Sequence, residues 1–148
     1  MMLNYTINRT LLRALIDEQV SHVADEAYGD NGMPLYDSII LTEKDDENVN
    51  TFLDEAVRAF VTRMYDVCHL KKDNGNNDVV EMYLPDFDTT MQDAALGEIT
   101  HFLVFSVCAA FFQSRRAQAV ESFSLRAKAA MDRAVSLLKS RKHPTATW

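Results

Sequence analysis

A chain of 148 residues that is 47% apolar, with only four glycines and three prolines, has the material for one packed domain and excludes a low-complexity or disordered chain. Its net charge of −7 is unevenly placed: residues 1–100 hold 7 Lys or Arg against 20 Asp or Glu, whereas residues 101–148 hold 8 against 2. Such a division fits two solvated faces of opposite sign, or like copies docking head to tail, acidic surface on basic surface, into rings or filaments.

The opening MMLNYTINRT lacks the basic segment, apolar run and cleavage site of a secretory signal, which points to an intracellular origin. A first helix is predicted over residues 8–28, with Leu12, Leu15, Ile16, Val20, Val23, Ala24 and Ala27 on one face. Gly29, Gly32 and Pro34 stop it, and residues 35–41 read as an extended connector.

A second helix is predicted over 43–72. Thr42 is placed as its N-cap, with Asp45 three residues on in a shortened capping box, and Glu43, Asp45, Asp46 and Glu47 suit the positive end of the helix dipole. Val49, Phe52, Leu53, Ala56, Val57, Phe60, Val61 and Met64 then recur at helical spacing as one buried face, and Lys71 and Lys72 suit the negative end. The polar stretch 73–78 reads as a plain turn, because Gly75 stands where a calcium loop needs an oxygen ligand. Residues 79–84 form the only strand candidate, which Pro85 ends.

A third helix is predicted over 89–114, capped by Asp88, Thr89 or Thr90. From Phe102 onward it is apolar nearly all round, so it must be enclosed by neighbours. Its longest apolar run, 102–112, falls short of the ~20 residues of a membrane span, so the expectation is a core helix and no membrane. After a bend near 113–116 a fourth helix is predicted over 116–141, with Val120, Phe123, Ala127, Ala130, Met131, Ala134 and Leu138 inward, and residues 143–148 are expected to form a mobile tail. The expected fold is one all-α domain, four-helix bundle-like, with a short extended segment or hairpin between helices 2 and 3.

No catalytic constellation is legible. Glu98 and His101 have the Glu-x-x-His spacing of carboxylate metal sites, but the second such motif that those sites require is missing. Cys68 and His69 are helix neighbours in the predicted scheme and point about 100° apart, which excludes proton sharing, and two separated cysteines do not nucleate a zinc site. Both cysteines are expected to be reduced core residues. There is no phosphate loop, nucleophile elbow or paired-histidine helix, so the chain is read as non-enzymatic, with no metal and no cofactor. The basic residues Arg115, Arg116, Arg126, Lys128, Arg133, Lys139 and Arg141 are interleaved with core positions and do not form a recognition helix for DNA sequence; they are candidate contacts to a neighbouring subunit.

The order of features resembles a known group. The opening Leu41-Thr42-Glu43-Lys44-Asp45-Asp46-Glu47 leads into Phe52-Leu53-Asp54-Glu55-Ala56-Val57. An extended segment and a proline follow, then Phe111-Phe112-Gln113-Ser114-Arg115-Arg116, and finally Ala134-Val135-Ser136-Leu137-Leu138-Lys139-Ser140-Arg141. Over residues 40–143 this resembles the small α-helical head-tail connector, or adaptor, proteins of tailed bacteriophages and prophages. The Leu41-Thr42 opening and the Arg141-Lys142-His143-Pro144 ending are also similar to phage-type proteins of the Bacteroides group. The resemblance implies a virion structural protein without catalytic residues, assembled in the bacterial host cytoplasm and placed at the virion neck. It implies a homo-oligomeric ring of about twelve subunits beneath the portal, in contact with portal and tail proteins, through which DNA passes non-specifically. The bottom-up alternative is a bacterial helical-bundle regulator or adaptor, dimeric, that binds a partner helix in an apolar groove.

Overall fold

The computed structural model describes residues 1–26, 40–72 and 77–142. The stop at Gly29 to Pro34, most of the extended connector, most of the polar turn and the tail after Lys142 lie outside the described residues. The elements in chain order are β1 (Met2–Thr6), α1 (Arg9–Glu26), a 3-10 turn (Glu43–Asp45) running into α2 (Asp46–Arg63), β2 (Cys68–Lys71), β3 (Val79–Tyr83), a second 3-10 turn (Thr89–Met91) and α3 (Gln92–Phe112), then α4 (Ala117–Leu138). The protein is mostly helical and bundle-like, but it is not purely all-α: a three-stranded antiparallel sheet of order β1-β3-β2 joins the helices.

Two of those strands depart from expectation. Residues 2–6 alternate, with Leu3 and Tyr5 buried and Met2, Asn4 and Thr6 exposed, and they pair with β3 from Met2 opposite Tyr83 to Thr6 opposite Val79. Helix α1 follows directly, with Asn8 Oδ1 accepting from the Leu11 amide at 3.1 Å as an N-cap. The second helix stops at Arg63, nine residues before the expected Lys72, and turns through residues 64–67 into β2. Cys68, Leu70 and their polar neighbours His69 and Lys71 follow the period of a strand, and β3 offers an edge to receive them. Cys68 is therefore half-buried on a strand and not in a helical core face, whereas Cys108 is buried in α3 as expected. The expected segment 79–84 is the central strand, paired on both sides within the chain.

One sheet face packs on the helices through Leu3, Tyr5, Val80 and Met82, and the Tyr5 hydroxyl lies 2.8 Å from Thr100 Oγ1 on α3. Burial pushes the Tyr5 phenol above its usual value, an effect that the Thr100 hydrogen bond opposes.

Helix α3 is the centre of the bundle and meets α1, α2 and α4. Its apolar character on all sides follows from that place, with Ile99, Leu103, Val107, Cys108 and Phe112 all nearly inaccessible. The segment Thr89–Phe112 is long and apolar enough to cross a membrane by length and composition, with mean hydropathy 1.7; 56% of its most apolar 18-residue stretch is buried inside the protein, as in a core helix.

The α3–α4 seam is close because α4 presents Ala127, Ala130 and Ala134 to it. The seam holds a run of rings: His101 on Phe105 at 5.9 Å, Phe105 near Phe123 at 6.1 Å, Phe123 stacked on Phe112 at 5.5 Å, and Phe112 edge-on to Phe111 at 5.4 Å. The end of α4 is tied back to the β3–α3 connection, where the Asp88 amide donates to the Ser140 carbonyl and the Lys142 amide donates to the Asp86 carbonyl. Helices α1 and α2 are bridged by Arg9 to Asp54 at 2.6 Å and Arg13 to Asp46 at 3.0 Å.

Candidate subunit-contact surface

The seven basic residues singled out from the sequence do not form one patch. From Arg116 to Lys139 the chain advances roughly 35 Å at 1.5 Å per helical residue. Along α4, Arg126 and Arg133 lie about 20° apart in projection, as do Lys128 and Lys139, and the two pairs occupy roughly opposite flanks of the helix.

Three of the seven serve the fold. Arg115, in the turn after α3, places Nη2 2.5 Å from Asp45 Oδ1, and its guanidinium lies 4.6 Å from the Phe111 ring centroid. Asp45 is the buried charged residue among the described ones, 4% exposed. Its other oxygen accepts from the Thr42 amide at 2.9 Å, so the carboxylate half of the expected capping box is in place. Arg133 Nε lies 3.1 Å from Glu98 Oε2. That oxygen is enclosed and receives no well-aligned hydrogen bond, so Arg133 meets it as a charge; His101 Nδ1 approaches it at 3.6 Å. Arg141 Nη1 donates to the Leu138 carbonyl at 3.2 Å and the Ser140 carbonyl at 3.3 Å, which caps the negative end of α4.

The other four have no carboxylate partner among the described residues. Arg116 stands at the N-terminal boundary of α4, and Lys139 at its C-terminal boundary. The Arg126 guanidinium lies over Phe123 at 5.4 Å and Phe105 at 5.9 Å, beside a cleft between α1 and α4 lined by Gln19, His22 and Ser122. Lys128 stands on the rim of a groove of about 460 Å³ between α2 and α4, whose floor includes Ala59, Phe102, Ala109 and Met131 and which the Arg63–Asp132 pair crosses at 3.5 Å.

The Glu98–His101 pair has its charge partner in Arg133, and among the described residues no three or more His, Cys, Asp or Glu side chains stand close enough to share a metal ion. Burial pushes the Cys108 thiol up to about 12 against a small opposing pull from Arg126; burial, aided by Asp66, pushes the Cys68 thiol up to about 12 as well. Neither is a ready thiolate near neutral pH.

Sequence reasoning missed the outer edge of β1. An open groove of about 300 Å³ runs beside it, lined by Asn4, Thr6, Leu11, Leu96, Gly97 and Thr100 among others. The signal was the alternation of Leu3, Tyr5 and Ile7 with polar residues before the Asn8 cap. No family model matches the chain, and comparison with curated proteins and with solved structures yields no match either.

Proposed function

We propose that this chain is a non-enzymatic virion structural protein, a head-tail connector subunit that assembles as a ring below the portal. The observation that supports the reading is the separation of charge between elements of one small bundle. Exposed carboxylates such as Asp17, Glu18, Glu43, Glu47 and Glu55 lie on α1 and on α2 with the 3-10 turn that opens it, while Arg116, Arg126, Lys128 and Lys139, on α4 or at its ends, have no carboxylate partner among the described residues. A surface of each sign on one subunit suits repeated heterologous contact between copies. An acidic channel wall would repel DNA phosphates and let the duplex slide without sticking. The order of an acid-opened helix, an extended segment with a proline, an apolar helix and a small-residue basic helix agrees with the connector resemblance.

The experiment is to sequence the DNA that flanks the gene. Portal, capsid and tail frames beside it are the expected result, and a metabolic or regulatory neighbourhood counts against the reading.

A second reading is a dimeric bacterial adaptor that binds a partner helix, favoured by the apolar floor of the α2–α4 groove. It predicts a compact dimer that ignores portal protein.

A further inference from the structure

We propose that the outer edge of β1 receives the outer edge of β2 from the next copy of the chain, so that the three-stranded sheet continues from subunit to subunit. The proposal rests on the ring reading and names its seam.

In an antiparallel ladder, residues alternate between those that bond to the partner strand and those whose N–H and C=O point away from it. The Leu84 amide donates to the Met1 carbonyl and the Ile7 amide to the Asp78 carbonyl, both at 2.8 Å, so Met1, Leu3, Tyr5 and Ile7 are the residues of this strand that face β3. Met2, Asn4 and Thr6 face outward, and no described strand pairs with them. On the far side of the sheet the Tyr83 amide donates to the Val67 carbonyl at 2.9 Å, which sets Val67, His69 and Lys71 toward β3 and leaves Leu70 and Lys72 facing outward.

The two edges differ in a way that selects the pairing. Edge strands are commonly protected by charge, proline or a bulge. The β1 sequence MLNYT has no charge and no proline, and its register with β3 is unbroken. The β2 edge carries Lys71 and Lys72 beside His69. Pairing β2 with its own copy brings like charges together, whereas pairing it with β1 sets His69 and Lys71 on the face of the uncharged Asn4 and Thr6.

The side-chain pattern fits the same partner. Both strands run antiparallel to β3 and hence parallel to each other, so a head-to-tail copy adds its β2 in parallel beside β1. Leu70 lies on the helix side of the sheet and is only partly covered by its own core. On the receiving copy, the helix side beside β1 is the open groove lined by Leu11, which is 53% exposed, together with Leu96 and Gly97. A Cβ added at Gly97 would meet nothing within 4 Å, so this wall has room for an incoming side chain. An added β2 therefore puts Leu70 into the groove and leaves His69 and Lys71 on the solvent face.

The test uses the full chain and two edge variants, Asn4→Pro and Leu70→Pro, each removing an outward amide that takes no part in the internal ladder. Asn4→Lys is a third variant that adds charge to the edge and keeps the amide. Sedimentation velocity reads the assembly, and circular dichroism with thermal melting reads the fold. The wild type is expected to self-associate, and each variant to lose association by about tenfold or more with its helical spectrum kept. Asn4→Pro retains a good β2 edge and Leu70→Pro a good β1 edge, so their mixture should form a one-to-one heterodimer and stop there. Wild-type assembly by folded Asn4→Lys, or self-dimerisation of Leu70→Pro through β1 alone, overturns the seam while leaving the connector reading standing. A wild type that stays monomeric, with or without portal protein, overturns both.

Discussion

Arg115 and Asp45, seventy residues apart in the chain, meet at 2.5 Å and join the start of α2 to the turn that opens the basic third of the protein. Asp45 also holds the Thr42 amide, so one buried carboxylate both caps the α2 entry and fixes the α3–α4 corner. Removing Arg115 leaves that carboxylate without its cation, and removing Asp45 frees the cap amide as well. Asp45→Ala and Arg115→Ala should each cost about 2–3 kcal/mol of unfolding free energy. The double variant should cost less than their sum by about 1 kcal/mol. Urea unfolding of the four proteins measures both quantities, and strict additivity would mean that the pair is not coupled.

Phe112 sits where α3 meets α4, fully enclosed, with Phe111 edge-on and Phe123 stacked against it. Phe112→Ala should cost about 3–5 kcal/mol, the range for an aromatic cavity that rigid helices cannot refill. A loss below about 1 kcal/mol would show a seam that collapses freely.

Much of this architecture is legible in the sequence, and the parts that are not have particular physical causes. Helices α1 and α4 repeat apolar residues at helical spacing over four or more turns, and α3 carries a continuous apolar run longer than a strand would need. The break at Met64 was hidden because residues 64–67 contain no glycine or proline and Cys68 and Leu70 are apolar enough to extend the stripe of α2. A four-residue strand has no period long enough to compete with that reading; β2 exists because β3 gives it a ladder. Among the candidate contacts, charge alone could not separate Arg115, Arg133 and Arg141, whose charge meets a carboxylate or helix-end carbonyls, from Arg116, Arg126, Lys128 and Lys139, which meet neither among the described residues. That separation depends on Asp45, Glu98 and the carbonyls at the end of α4, all placed by tertiary packing.

The buried thiols give a pH dependence with a definite sign. Cys108 is held near 12 against an ordinary 9.0, so the folded state keeps a proton that the unfolded chain gives up first. Stability from this source is intact below about pH 9 and falls as pH rises from there toward 12. Cys68 adds in the same direction. Urea midpoints should decline as pH rises above about 9, and the decline should be shallower in Cys108→Ala. At neutral pH a thiol reagent should label Cys108 only as fast as the protein opens.

Charge reversals on α4 should separate assembly from folding. Arg126 has aromatic faces beneath it and no carboxylate partner among the described residues, so Arg126→Glu should weaken self-association and its salt sensitivity while moving Tm by only a few degrees, roughly 1 kcal/mol or less. Arg133→Glu confronts Glu98 and should lower stability by about 1–2 kcal/mol whatever the assembly state. Comparable melting losses in both variants, with association unchanged, would assign Arg126 to the fold as well.

The most direct test of the connector reading is electron microscopy of the purified full chain, alone and mixed with a portal protein if the flanking DNA encodes one, over a range of salt. Closed rings of one rotational symmetry that seat on the portal and dissociate as salt rises are the predicted result. A monomer or compact two-fold dimer at every concentration, indifferent to portal and to salt, would contradict it and leave the partner-helix adaptor as the better description.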